Sequence, residues 1–114
     1  MRIISVLAAA VVAVPLALAS AEESQALQEI RANCAAEWAD DFAMQDYCIK
    51  RQVEAYASIR DDFIPLGREN EAIQGILERC FNEWRGKVAG FDFAMVHYCT
   101  QRQVEAYNRL QRGG

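Results

Sequence analysis

The feature that most constrains the fold is an internal duplication. The segments DFAMQDYCIKRQVEAY (41–56) and DFAMVHYCTQRQVEAY (92–107) are identical at 12 of 16 positions. Upstream of each segment the motif C-x-x-E-W recurs, at 34–38 and at 80–84, and five extra residues separate the motif from the segment in the second copy. Each copy is therefore one supersecondary unit, and packing of two such units against each other is the natural way to build a core.

Both parts of each unit have the periodicity of a helix. Apolar residues recur at spacings of three and four around each cysteine, and the alternation typical of strands is absent. Asp41 and Asp92 precede the second part of each unit, where a carboxylate can cap a helix. The pattern predicts an all-α fold with four helices, at about 24–38, 42–60, 69–86 and 92–111.

We expect these helices to form two tandem hairpins within one domain, residues 22–114. Repeat one would span 24–60 and repeat two 69–112, with 61–68 as the linker, because Pro65 and Gly67 break helices. The pairs Val53 with Tyr56 and Val104 with Tyr107 lie off the cysteine stripe in both copies. They predict packing of one hairpin on the other, in a small four-helix arrangement.

The four cysteines flank the two predicted turns. Cys34 and Cys48 stand on opposite sides of the first turn, and Cys80 and Cys99 on opposite sides of the second. Antiparallel helices bring such positions within disulfide reach, and an even number of cysteines in an exported chain is typical of disulfides. Of the three possible pairings, we expect Cys34–Cys48 and Cys80–Cys99, because a bond within one unit does not require the other copy.

The repeated tryptophans and methionines have a structural interpretation. If Cys34 faces Cys48, Trp38 lies opposite Met44, one turn nearer the hairpin loop. The second copy places Trp84 opposite Met95. We expect each pair to fill the core of its hairpin, because a thioether packs well against an indole. The repeated Gln52 and Gln103 fall beside the cysteine stripe, and we expect their amides to be half-buried and bonded to backbone at a helix end.

The first 21 residues have the features of a secretory signal peptide. Arg2 precedes an apolar run (3–18), and Ala19-Ser20-Ala21 follows. The run is shorter than the roughly 20 residues that span a bilayer. Cleavage after Ala21 would leave a periplasmic or secreted protein of net charge −5 without a membrane span. An acidic chain without a Lys/Arg stripe argues against nucleic acid as a partner.

No residue pattern indicates catalysis, because the single histidine and the scattered carboxylates form no assignable acid–base set. We expect a non-enzymatic interaction or structural module, without a cofactor, whose partner is another envelope protein. Solvated charges are the simpler interpretation of the polar residues that recur in both copies. The candidate interaction residues among them are Glu37, Arg51, Glu83 and Arg102.

An alternative is a soft-metal or thiol redox protein. The four thiols, with Met44, Met95 and His97, offer ligands for copper or zinc. The spacing argues against this function, because structural zinc sites and redox sites favour C-x-x-C pairs, which the sequence lacks. Asp46 also replaces His97 in the first copy.

The stretch from Cys34 to Gln52 carries C-x-x-E-W followed by D-F-A-M-Q-D-Y-C-I-x-x-Q. It resembles an uncharacterised family of small exported Gram-negative bacterial proteins with a C-x-x-E-W…M-x-x-Y-C-x-x-x-Q helical-hairpin unit. The resemblance covers most of each unit, twice over. Ala39 and Arg85 occupy the position where that family often has proline. The resemblance implies export and a helical, cysteine-paired unit, and it implies no activity.

Overall fold

The computed structural model describes residues 21–113. The signal peptide expected at 1–21 lies outside the described residues, apart from Ala21. Within the described part, the predicted all-α class is confirmed, and the sole non-helical pairing is an isolated bridge between Arg85 and Phe91. The helices are α1 (21–37), α2 (Phe42–Ser58), α3 (Ile64–Glu69), α4 (Glu71–Glu83) and α5 (Phe93–Gly113), with a π-helical turn, Ile59–Phe63, between α2 and α3.

Two disulfides staple these helices into two hairpins, as predicted. Cys34–Cys48 joins α1 to α2, and Cys80–Cys99 joins α4 to α5, with Cα–Cα distances of 5.7 and 5.8 Å. The bonds span 14 and 19 residues of sequence. The chain-entropy estimate for loops of this length is about 3 kcal/mol of stabilisation each. Each copy therefore carries its own covalent reinforcement.

The predicted N-caps are also confirmed. The Asp41 carboxylate accepts a hydrogen bond from the amide of Met44 at 3.0 Å. The Asp92 carboxylate accepts one from the amide of Met95 at 3.2 Å. These bonds satisfy first-turn amides that have no partner within the helix, so the second helix of each hairpin begins at the same point of the repeat.

The linker expected over 61–68 is helical, contrary to the prediction that Pro65 and Gly67 break it. Pro65 lies in the first turn of α3, where the missing amide costs no intrahelical bond. Gly67 lies where α3 crosses α4, and a Cβ there would come within 2.9 Å of Leu77 Cδ1. The two residues therefore start the helix and permit close helix packing.

The first helix of repeat two also ends early, at Glu83 rather than near residue 86. The chain then forms a loop over 84–92. The Arg85 and Phe91 bridge closes this loop, and Gly90 turns it with a φ of 56°, a conformation that glycine adopts without strain. The five extra residues of repeat two therefore build an ordered loop.

The core runs along α4 and α5 and into the contact between the hairpins. Tyr56 packs edge-on against Phe93 at 5.1 Å between ring centroids, which confirms the predicted hairpin-on-hairpin packing. Val53 takes little part, because it is 40% exposed. The expected tryptophan plugs are absent from the buried residues: Trp84 is 38% exposed, and Trp38 is half-buried. The two indoles lie at the ends of their helices, where too few neighbours surround them.

Candidate functional site

The four predicted interaction residues are exposed and do not pair with one another. Glu37 and Arg51 line a hollow of about 240 Å³ between the start of repeat one's hairpin loop and the beginning of α5 in repeat two. Arg102 donates to the Tyr98 hydroxyl at 2.9 Å, and this hydrogen bond raises the pKa of the guanidinium. Within residues 21–113, no ion pair joins Glu37 to Arg51 or Glu83 to Arg102. The structure therefore places these residues on the surface of each hairpin without forming one site from them.

The most prominent concave feature is a groove with two parts, one between the hairpins and one between α1 and α2 of repeat one. Two hollows, of about 400 and 540 Å³, lie on either side of Tyr56. Both are also lined by Ala26 and Arg60. We call this pair of hollows the inter-hairpin groove. Its apolar lining consists of Ala26, Leu27, Ile30, Val53, Tyr56, Ala57, Ile59, Ile64, Phe81, Phe91 and Phe93.

Aromatic rings form one wall of this groove. Phe81 lies edge-on to Phe91 at 4.9 Å, and Phe91 lies 6.1 Å from Phe93, between ring centroids. Phe93 in turn contacts Tyr56. Such edge-to-face contacts are a favourable arrangement of aromatic rings. The wall is therefore built from rings that also pack on one another.

The hollow between α1 and α2 contains side chains that remain partly open to solvent. Leu27 is 37% exposed and Val53 is 40% exposed. Their counterparts in repeat two, Ile73 and Val104, are each 6% exposed. This hollow is thus found on repeat one and not at the equivalent place on repeat two, although the two repeats carry similar residues at these positions.

Charges at the rim of the groove are mainly acidic. Glu22 and Glu29 line it, and Arg60 is the basic residue beside them. The Arg60 guanidinium already bonds Asp61 at 2.8 Å and Glu23 at 3.3 Å. The hydrogen bond between Arg60 and Asp61 raises the pKa of the guanidinium and lowers the pKa of the carboxyl. The charge of Arg60 is therefore balanced by Asp61 and Glu23, and the other charged groups at the rim are the carboxylates of Glu22 and Glu29.

The pattern of repeated residues does not predict this groove. Phe81 replaces Ala35 of repeat one, and Phe91 lies in the longer loop of repeat two. Neither phenylalanine belongs to the set of residues that the two repeats share. The signal that could have found them is the departure from the repeat, because an aromatic side chain present in one copy alone has a role in that copy alone.

Two polar side chains of repeat one hold repeat two in place. The Gln52 amide oxygen accepts from the amides of Phe93 and Ala94 at 2.7 and 3.3 Å, and its nitrogen donates to Asp92 at 2.9 Å. This confirms the expectation that Gln52 bonds backbone at a helix end. Gln103 differs: it is exposed and accepts from the Arg79 side chain at 3.2 Å.

Asn33 forms the second polar anchor. Its amide oxygen accepts from the backbone amides of Val88 and Ala89 at 2.8 and 3.0 Å. Its amide nitrogen donates to the Ala89 carbonyl at 2.7 Å. One buried side chain therefore satisfies three backbone groups of the loop in repeat two, and it fixes that loop beside the groove.

Across residues 21–113, no group of three or more His, Cys, Asp and Glu side chains comes together in a way that would hold a metal ion. The four thiols are joined in the two disulfides. None of the described helices is both long and apolar enough to cross a membrane. Comparison with protein-family models, with curated proteins and with solved structures finds no match.

Proposed function

We propose that this chain is an exported, non-enzymatic interaction module that binds a segment of another envelope protein in the inter-hairpin groove. The observation that carries the proposal is the groove itself, an apolar concavity walled by Tyr56 and three phenylalanines. Pockets with fixed aromatic walls are typical positions for the anchoring side chains of a partner.

The apolar floor and acidic rim of the groove determine which kind of peptide segment fits it. Its floor is apolar, and its rim presents Glu22 and Glu29. The segment that fits best has an aromatic or branched aliphatic side chain next to a lysine or arginine. The apolar side chain removes groove surface from water, and the basic neighbour meets the rim carboxylates.

The two disulfides support both the export and the binding role. Disulfides persist in oxidising compartments, in agreement with the signal peptide expected at the N-terminus. Cys34–Cys48 ties α1 to α2, and these helices carry one wall of the groove. A wall that is held in place before binding reduces the ordering cost of the complex.

The second candidate function, soft-metal binding or thiol redox chemistry, would require the disulfides to open. Cys34, Cys48, Cys80 and Cys99 offer no thiolate while they are paired with one another. Counting free thiols in protein isolated from the envelope separates the candidates. We expect none, whereas four reactive thiols would favour the metal or redox function.

Peptide selection tests the proposed function. We expect the purified, oxidised chain to enrich sequences with an aromatic or branched residue beside Lys or Arg from a random peptide library displayed on phage. Synthetic versions of these peptides should bind at least about tenfold more weakly to Ala26→Leu, which fills the groove. Glu22→Lys should weaken the same peptides by removing the charge match.

Ala72→Leu is the matched control, because Ala72 is the counterpart of Ala26 in repeat two and is exposed. It should leave peptide binding unchanged. Absence of enrichment, or equal binding to Ala26→Leu and to the unaltered chain, would contradict the proposal. If a small apolar dye binds the unaltered chain but not Ala26→Leu, and no peptide does, the groove serves small molecules instead.

A further inference from the structure

The contact between the two repeats joins non-equivalent surfaces, and within residues 21–113 it leaves the other surface of each repeat largely exposed. Repeat one contributes Gln52 and Tyr56 from the C-terminal half of α2. Repeat two contributes Asp92 and Phe93 from the start of α5. Because the repeats share a sequence, each also carries the surface that the other one uses.

The unused surface of repeat one is at the start of α2. It comprises Asp41, Phe42 and Asp46, the counterparts of Asp92, Phe93 and His97, and we call it the head surface. Phe42 is 77% exposed, whereas Phe93 is 5% exposed. A large aromatic side chain is thus held in water at the position where its counterpart is buried.

The unused surface of repeat two is on the C-terminal half of α5. Its apolar and amide groups are Gln103, Tyr107 and Leu110, the counterparts of Gln52, Tyr56 and Ile59. Gln103 and Leu110 are exposed, whereas Tyr107 is half-buried and packs partly on the core. Leu110 is 70% exposed, whereas Ile59 is 3% exposed. Two arginines, Arg102 and Arg109, lie together on the adjacent side of the helix, and we call the five residues together the tail surface.

We propose that the head surface of one chain binds the tail surface of a second copy of the chain, in the manner of the contact within the chain. Phe42 would then pack on Tyr107 and Leu110, as Phe93 packs on Tyr56 and lies beside Ile59 in the groove. The Gln103 amide would cap α2 of the second copy, as Gln52 caps α5. We choose a second copy of the chain as the partner because the contact within the chain shows that these residue types fit together.

Charge supports the same pairing. Within the chain, His97 and Ser58 line one small hollow between α2 and α5, together with Arg51 and Glu54. At the proposed contact the corresponding residues are Asp46 and Arg109, with Arg102 in place of Arg51. Opposite charges, on Asp46 and Arg109, thus stand between chains where His97 and Ser58 stand within the chain. The head surface carries two aspartates, and the tail surface carries two arginines. Asp46 pairs with Lys50 at 3.0 Å within the chain, and because both side chains are exposed this pair can open or be shared with Arg109.

Two differences make the proposed contact weaker than the internal one. Repeat one lacks the longer loop that Asn33 binds, and Arg79 occupies the Asn33 position in repeat two. Arg79 also donates to the Gln103 oxygen at 3.2 Å, and this bond must open before Gln103 can act as a cap. We therefore expect a reversible assembly that depends on protein concentration.

Sedimentation velocity on the purified, oxidised chain tests the proposal. We expect oligomers that grow with concentration and dissociate in high salt. Asp46→Arg and Arg109→Asp should each weaken the association at least about tenfold. A chain that carries both changes should recover it, because the reversed charges again oppose each other across the contact.

A second experiment mixes two variant chains, Phe42→Ala and Leu110→Asp. Each chain alone should remain a monomer, but an equimolar mixture should form dimers, because one partner keeps its tail surface and the other its head surface. A chain that is monomeric at every concentration, or variants that assemble like the unaltered chain, would overturn the proposal. Ala26→Leu, which fills the groove, should not alter assembly, so failure of peptide binding and failure of self-association can be told apart.

Discussion

The same segment, Asp-Phe-Ala-Met, begins the second helix of both hairpins but meets different surroundings. Phe42 of the first hairpin is 77% exposed, and Phe93 of the second is 5% exposed. Both aspartates cap their helices. Local structure is therefore set by the repeated residues themselves, whereas burial is set by what the rest of the chain places against them.

The difference arises because the chain has two copies and one contact between them. Repeat one supplies Gln52 and Tyr56 to cover Phe93. Within residues 21–113, no equivalent pair of side chains covers Phe42. Stacked repeats bury the faces that they turn toward each other, so Phe93 is buried by its place in the contact and Phe42 is not.

The largest difference in stability between equivalent variants of the two hairpins is expected at the two phenylalanines. Phe93→Ala should lower the free energy of unfolding by about 3–5 kcal/mol, because it empties a buried aromatic position. Phe42→Ala should change it by less than about 0.5 kcal/mol. Urea unfolding followed by circular dichroism, at a concentration low enough to keep the chain monomeric, measures both. Equal losses would show that Phe42 is buried as well.

The glutamines are expected to give the next largest difference. Gln52→Ala leaves the amides of Phe93 and Ala94 without their side-chain acceptor and should lower stability by about 2 kcal/mol. Gln103→Ala removes one exposed bond from Arg79 and should cost less than about 0.5 kcal/mol.

Gln52→Glu sharpens this test. It keeps an acceptor for the two amides but replaces the bond to Asp92 with a repulsion between carboxylates. It should therefore fall between the unaltered chain and Gln52→Ala at neutral pH. If the alanine variants of both glutamines had equal stability, the cap on α5 would contribute nothing beyond the Asp92 cap.

Features that depend on local sequence could be predicted, and features that depend on packing between the repeats could not. Helical spacing and the capping aspartates predicted the hairpins, and matched positions about each turn predicted both disulfides. The helical linker was missed because Pro65 is compatible with a first turn, a position that composition does not reveal. The groove was missed because Phe81 stands at a position that differs between the repeats and Phe91 lies in the longer loop of repeat two, and their burial follows from the arrangement of the hairpins.

The smallest expected effect concerns a position at which the repeats differ in polarity. Thr100 is fully buried, and its hydroxyl has no hydrogen-bond partner within residues 21–113. The counterpart in repeat one is Ile49. A buried hydroxyl without a partner loses its bonds to water on folding, and this loss destabilises the folded state.

Thr100→Val should therefore raise the free energy of unfolding by about 1 kcal/mol, because valine has nearly the same shape and lacks the hydroxyl. Thr100→Ser is the control: it keeps the hydroxyl, loses the methyl group and should lower stability by about 1 kcal/mol. Both are read from the same urea transitions. If Thr100→Val were the less stable chain, the hydroxyl would have a partner, such as a helix carbonyl or a trapped water. The Thr100 hydroxyl would then stabilise α5 in the core of repeat two through a hydrogen bond, which Ile49 cannot form in repeat one.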